Sequence, residues 1–426
     1  MRIIQVLPIV AALSRSVPCG LAQDSSPLKT LYSFTGQPDG GNPVAGVVIG
    51  QDGALYGTTN SGGTSNYGTV FKLTPPASAG EVWKETALHD FLSGSDGSNP
   101  VAVVVIGKGG ALYGTTYNGG ASGLGTVFEL KPPATSGEAW PETVLHSFTG
   151  SSGPCCVNDG ANPSAGVVVG KGGVLYGTTK NGGGVETESS FGTVFELRPP
   201  TSPGGHWRES VLFSFVGCCG ANPAAGVVIG GGGVLYGTTE FGGARCLGPA
   251  IGCGTVFQLA SGTETVLFNF PFSSAGPVAA MVIGPGGVSY GTTSGYTENG
   301  GVGPGTVFSL APPASPGEAW TETLLHSFTG GSDGFGPYAP VAIGSGGVLY
   351  GTTAAGGTSN AGTVFSLTPP ASPGGSWTET VLYSFTGGTD GADPVAGLAI
   401  GENGALYGTT SGGGASNAGT VFALRP

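Results

Sequence analysis

Short apolar runs separated by Gly-, Asn- and Pro-rich breaks recur along the chain from Leu28 to its end. In the first full unit these runs lie at about 43–49, 54–59, 68–74 and 85–91, each rich in Val, Ile, Thr, Tyr or Phe and each of strand length. Runs such as Val44 to Ile49, Ala102 to Ile106 and Gly166 to Val169 are apolar on both faces, which predicts a strand buried on both sides. The Gly-Gly-Ala-Leu and Gly-Gly-Val-Leu segments that follow predict tight hairpin turns, and no stretch after residue 22 carries helical periodicity with caps.

Three blocks keep this cadence, and each occurs seven times. LYGTT or a near copy places its tyrosines at Tyr56, Tyr113, Tyr176, Tyr236, Tyr290, Tyr350 and Tyr407. GTVF ends at Phe71, Phe128, Phe195, Phe257, Phe308, Phe365 and Phe422, and a block resembling LHSF ends at Phe34, Phe91, Phe148, Phe215, Phe270, Phe328 and Phe385. A period of about 58 residues with four strands per unit predicts blades around an axis. The phase of the repeat adds to this. A lone LYSF block opens the series and a lone GTVF block, Gly419 to Phe422, ends it, so pairing the two would hide two sheet edges. The fold class expected is all-β, a seven-bladed β-propeller of four-stranded blades, closed by pairing the N-terminal strand with the last blade. A β-helix or an open array is the alternative.

The units Ala54-Leu55-Tyr56-Gly57-Thr58-Thr59 and Gly68-Thr69-Val70-Phe71 resemble the tandem repeat of the "choice-of-anchor" GloVer proteins of bacteria. The resemblance spans nearly all of the chain after residue 22. It implies an exported or surface-anchored, propeller-like repeat protein, and it supplies no catalytic residues. The sequence stops at Pro426 with no sorting signal or hydrophobic tail, which departs from an anchor of that kind.

The N-terminal segment is expected to be a signal peptide, residues 1–22, followed by the propeller, residues 23–426. Arg2 supplies the positive start, Ile3 to Leu13 the apolar run, and Gly20 and Ala22 the small residues before cleavage. Localisation is therefore expected to be secreted, and no later stretch is long and apolar enough to span a membrane. Cleavage would remove Arg2 and Arg15, leaving 11 basic against 25 acidic residues. Such an acidic chain argues against nucleic acid or anionic membranes as partners. Six cysteines follow residue 22: Cys155, Cys156, Cys218, Cys219, Cys246 and Cys253. In an exported chain they are expected to form structural disulfides, with no metal site because the spacing matches no zinc pattern.

The outer-to-inner loops and the loops between second and third strands share one face of such a propeller, its upper face, where ligands are usually bound. Asp39, Asp96, Asp159, Asp333 and Asp390 recur in the outer-to-inner loop, each followed by Gly. Five carboxylates could ring a Ca²⁺ ion, but Asp-Gly is also ordinary turn chemistry, and no cofactor is otherwise expected. His89, His146 and His326 share a slot with Tyr32, Phe213, Phe268 and Tyr383, which reads as packing. The five tryptophans precede the outer strands and are expected to pin Pro-rich loops to their own blade's edge. Gly287-Val288-Ser289-Tyr290-Gly291 fits a serine-hydrolase elbow yet is only the fifth copy of LYGTT.

Departures from the repeat are more informative. The longest upper loops, in units three to five, carry Lys180, Glu240, Arg245, Tyr296 and Glu298, in a chain where only 9% of residues are charged. Two functions follow. The first is a secreted, monomeric, non-catalytic binding or scaffold propeller presenting its upper loops to a glycan, peptide or surface protein. The second is an extracellular polysaccharide lyase or glycoside hydrolase with its site in the central upper pocket, formed by convergence of those same side chains.

Overall fold

The computed structural model describes residues 26–78, 81–135, 137–150, 158–184, 191–202, 204–217, 219–243, 254–271, 276–294, 303–315, 317–372 and 374–426. Seven four-stranded antiparallel sheets stand around an axis as a seven-bladed β-propeller. Blades 1 to 6 occupy residues 48–90, 105–147, 168–214, 228–269, 282–327 and 342–384. Blade 7 takes three strands from the C-terminal end and its outer strand, Leu28–Ser33, from the N-terminal end. That outer strand pairs antiparallel with Thr420–Leu424, from Leu28 opposite Leu424 to Ser33 opposite Thr420. Among the described residues no helix is long and apolar enough to cross a membrane.

The repeated blocks can now be read residue by residue. The glycine of LYGTT lies opposite the phenylalanine of GTVF, and a Cβ on Gly237 would sit 2.5 Å from the Phe257 ring. All seven copies share this crowding, so the ring occupies the space that any side chain would need. The first Thr of LYGTT reaches across the seam to the inner segment of the next blade. Thr58 Oγ1 donates to Ala102 O at 3.0 Å, and the series runs through the remaining blades to Thr409 Oγ1 and Ala45 O at 2.9 Å. The second Thr bonds the Thr of GTVF within the blade, as in Thr59 with Thr69 at 2.9 Å.

The core lies in the seams between blades. Seven apolar clusters are each built from two adjoining blades, including Leu31, Phe34 and Val421 of blade 7 with Leu55 and Phe71 of blade 1. In every seam the outer-strand phenylalanine of one blade meets the GTVF phenylalanine of the next edge-on, at 5.1 Å for Phe34 and Phe71. Each such ring is fully buried or nearly so, a contribution of roughly 1.5–3 kcal/mol per side chain.

Two local expectations are revised. The inner strands pair with their neighbours over two residues only, Val48–Ile49 in blade 1. The preceding segment, 44–47, instead faces the axis and packs against the equivalent segment next door: a Cβ on Gly46 would sit 2.6 Å from Gly397 O. The tryptophans staple neighbouring blades rather than their own blade's edge. Trp140 of blade 2 packs on Tyr56 of blade 1, with ring centroids 6.3 Å apart, and Trp83, Trp207, Trp320 and Trp377 repeat the contact. A half-buried indole is covered better by the next blade's tyrosine than by its own Pro-rich loop.

Candidate functional site

The seven inner segments enclose an axial channel of about 520 Å³. Its lining is Val, Ala, Gly, Leu and Pro, with Ser164 and Tyr338 as the polar side chains among the described residues. Among the described residues the walls therefore offer no carboxylate, imidazole or cation, and charged groups belong to the upper rim.

At that rim the chain turns twice per blade. The outer-to-inner loop ends in a residue held at positive φ, Asn42, Asn99, Asn162 and Asn222 in blades 1 to 4 and Asp393 in blade 7, and a proline follows each. Asn and Asp tolerate this conformation, and proline then sets the inner segment on its extended course. The carbonyls of these residues accept the backbone N–H of the residue just after LYGTT, as from Lys180 to Asn162 at 3.2 Å and from Glu240 to Asn222 at 3.2 Å. The Asn amides then link blades: Asn162 Nδ2 donates to Tyr117 O at 3.1 Å and Asn222 Nδ2 to Lys180 O at 3.0 Å, while Asn181 Nδ2 donates to Asn162 Oδ1 within blade 3 at 3.2 Å. Spacing alone concealed this network, because the Asn-Pro pairs read as turn residues.

On this frame Lys180 and Glu240 meet. They occupy the same position in blades 3 and 4, and Lys180 Nζ stands 3.0 Å from Glu240 Oε2 across the seam. The lysine side chain keeps 32% of its surface exposed, so its ammonium can still be reached from solvent. The equivalent residue is Asn60 in blade 1, Tyr117 in blade 2, Ser294 in blade 5, Ala354 in blade 6 and Ser411 in blade 7. Polar and aromatic bulk thus gathers on blades 1 to 4, and small side chains on blades 5 to 7. The signal in the sequence was the variable position directly after the YGTT that all seven copies share. Arg245, Tyr296 and Glu298 lie outside the described residues, as do Cys155, Cys156, Cys218, Cys246 and Cys253. Cys219 is half-buried in the loop leaving blade 3, where its carbonyl faces Thr255 Oγ1 at 3.5 Å.

The Asp-Gly carboxylates are each engaged within their own loop. Asp39 accepts from Thr35 Oγ1 at 2.6 Å and from Tyr32 Oη at 2.6 Å, and Asp333 accepts from Thr329 N at 2.7 Å. Asp390 repeats the arrangement with Thr386 and Tyr383, and Asp96 accepts from Leu92 N at 2.9 Å. Asp159 accepts from Thr149 N at 3.1 Å and faces His146 Nε2 at 3.0 Å. No group of three or more metal-ligating side chains forms among the described residues. His89, His146 and His326 each stack edge-on against the phenylalanine two residues on, as in His89 and Phe91 at 4.7 Å. Ser289, the elbow candidate, is 1% exposed inside the strand Ser289–Thr293.

Outer-strand glutamates form a second polar layer in the seams. Burial pushes Glu85, Glu142, Glu209 and Glu264 up to about 7, with Asp39 adding to the shift at Glu85 and Asp96 at Glu142. Burial likewise holds His89 and His326 below the ordinary imidazole range. These groups face neighbouring blades rather than the channel, and they act on stability.

Comparison with known proteins bears on fold and family. The Sqt1 protein of Chaetomium thermophilum is 12% identical with a TM-score of 0.50, covering 93% of this chain and 89% of that one. A putative 6-phosphogluconolactonase from Bacteroides uniformis is 16% identical with a TM-score of 0.47, covering 80% and 84%. A polysaccharide lyase, an ulvan lyase, is 10% identical with a TM-score of 0.47, covering 92% and 95%. At 12% identity the likeness to Sqt1 speaks to the fold alone. No curated protein matches the sequence. The Gloeobacter/Verrucomicrobia repeat matches residues 20–251 and 247–426, and the chain belongs to that repeat family.

Proposed function

We propose that the protein is an exported binding or scaffold propeller that engages a glycan, peptide or protein surface through the upper rim of blades 2 to 4. The observation that carries this reading is the bridge between Lys180 and Glu240, 3.0 Å apart, above a channel with apolar walls. Tyr117 and Asn181 stand at matching or adjoining positions of the same rim. Together they offer an aromatic ring, an amide, an ammonium and a carboxylate on a frame fixed by inter-blade hydrogen bonds. A site of that kind recognises hydroxyls and amides by hydrogen bonding and needs no reacting atom.

A glycan array combined with a lyase and hydrolase panel tests it. Binding without turnover is expected, and Lys180→Ala or Glu240→Gln should weaken binding about tenfold, the effect of losing one charge-assisted hydrogen bond. Turnover that disappears in Lys180→Ala would replace this reading with the lyase or hydrolase one.

A further inference from the structure

The opposite face holds a second cavity of about 520 Å³, in the seam between blades 7 and 1. It opens where the repeat is interrupted. In blades 1 to 6 a covalent connection joins the third strand to the outer strand, as residues 75–83 do in blade 1. In blade 7 those two strands come from opposite ends of the chain, and beyond their ladder the hydrogen bond from Arg425 N to Pro27 O, 3.1 Å, stands in place of that connection.

The lining is distinctive for this protein. Trp83 and Tyr407, the aromatic staple of this seam, form one wall with ring centroids 6.4 Å apart. Lys29 and Arg425 supply two cations, and Ser26 and Asn403 supply a hydroxyl and an amide. No carboxylate lines the cavity among the described residues; Glu402 precedes Asn403 in sequence but is not part of the wall. The chain carries 25 acidic residues against 13 Lys and Arg, yet this cavity is lined by two cations and no carboxylate among the described residues. Lys72, Lys131, Lys180 and Arg198 are each held by a carboxylate within 3.2 Å. Lys29 and Arg425, like Lys84, Lys108, Lys171 and Arg208, enter no ion pair among the described residues, and of these six only Lys29 and Arg425 line the cavity.

We propose that this cavity binds an acidic saccharide, a pyranose ring bearing a carboxylate or sulfate. An aromatic wall suits the C–H face of a sugar ring, a guanidinium beside an ammonium suits its anion, and Ser26 and Asn403 suit its hydroxyls. The volume falls in the range of small-ligand sites. This site is independent of the upper rim.

Calorimetric titration of the secreted protein with oligogalacturonate and with a sulfated dextran oligosaccharide tests the assignment. Maltohexaose, inorganic sulfate and hexaglutamate serve as comparators. At least one anionic sugar should bind, more weakly as salt rises, and the tighter of the two identifies the anion preferred. The exposed pair Lys29→Gln/Arg425→Gln should lower that affinity at least tenfold with the melting temperature unchanged. Trp83→Phe should lower it severalfold, and Lys180→Ala should leave it unchanged. The proposal is overturned if neither anionic sugar binds, if maltohexaose, sulfate or hexaglutamate binds equally well, or if the double variant binds as the parent does.

Discussion

At the scale of single residues, the seams are held by groups whose protonation follows pH. Burial raises the carboxyls of Glu85, Glu142, Glu209 and Glu264 to about 7, and those of Glu322 and Glu379 in the same direction. A folded state that favours the protonated form is most stabilised below the unfolded value of 4.5, loses that contribution as pH rises toward 7, and changes little above. His89 and His326, lowered from 6.5, favour the neutral ring and oppose this trend as pH rises toward that value. Asp52 and Asp333, lowered from 3.8, stabilise the fold above that value and cease to do so in stronger acid. Six carboxyls outnumber two imidazoles, so the melting temperature should fall between pH 5 and pH 8. Glu142, whose Oε1 is buried with no hydrogen-bond partner and lies in the field of Asp96, offers the cleanest check. Glu142→Gln should raise the melting temperature by roughly 1–3 °C at pH 8 and leave it nearly unchanged at pH 4.5; thermal scans showing a gain at both pH values would contradict the assignment.

At the scale of strands and loops, much was legible in the sequence, for a physical reason. Each block meets the same neighbours in every blade, so GTVF, LYGTT and LHSF keep their residues and report their packing. The slot shared by His89, Tyr32 and Phe213 reads correctly as a ring against a ring. Reach was not legible. Nothing in a run such as Val44 to Ile49 says that its first half serves the axis and its second half the ladder, nor that a tryptophan will cross to the adjoining blade. Likewise Lys180 and Glu240 were visible as departures from the repeat, but their meeting depended on the angle between blades 3 and 4. Trp207, which rests on Tyr113 at 6.1 Å, makes the staple testable. Trp207→Ala should cost about 2–3 kcal/mol in denaturant unfolding, below a fully buried tryptophan because the ring is only half-buried. Amide exchange should quicken around Tyr113 more than within blade 3's own outer strand. Exchange confined to blade 3 would return the tryptophan to its own blade. Tyr176 and Tyr350 face blades 4 and 7, neither of which has a Trp before its outer strand, so these two seams should exchange faster than the five stapled ones.

At the scale of the whole molecule, the seam between blades 7 and 1 is made like the others although no chain segment joins third to outer strand in blade 7. Thr409 Oγ1 meets Ala45 O at 2.9 Å, and Thr178 Oγ1 meets Ala225 O at the same distance. If closure is complete, Thr409→Val and Thr178→Val should each cost about 2 kcal/mol, the effect of leaving one buried carbonyl unsatisfied, and should agree within about 0.5 kcal/mol. Chemical denaturation of the two variants side by side checks this. A Thr409→Val protein as stable as its parent would show the ring to be open at that seam.

The way the two ends meet also decides how the molecule bears load. Leu28 and Leu424 are partners at the same end of their ladder, so the chain enters and leaves the blade side by side. Tension applied through the two ends would pull the outer strand away one rung after another, as a zip opens, with each rung resisting alone. Load carried through both ends at once would thus fall on this one ladder.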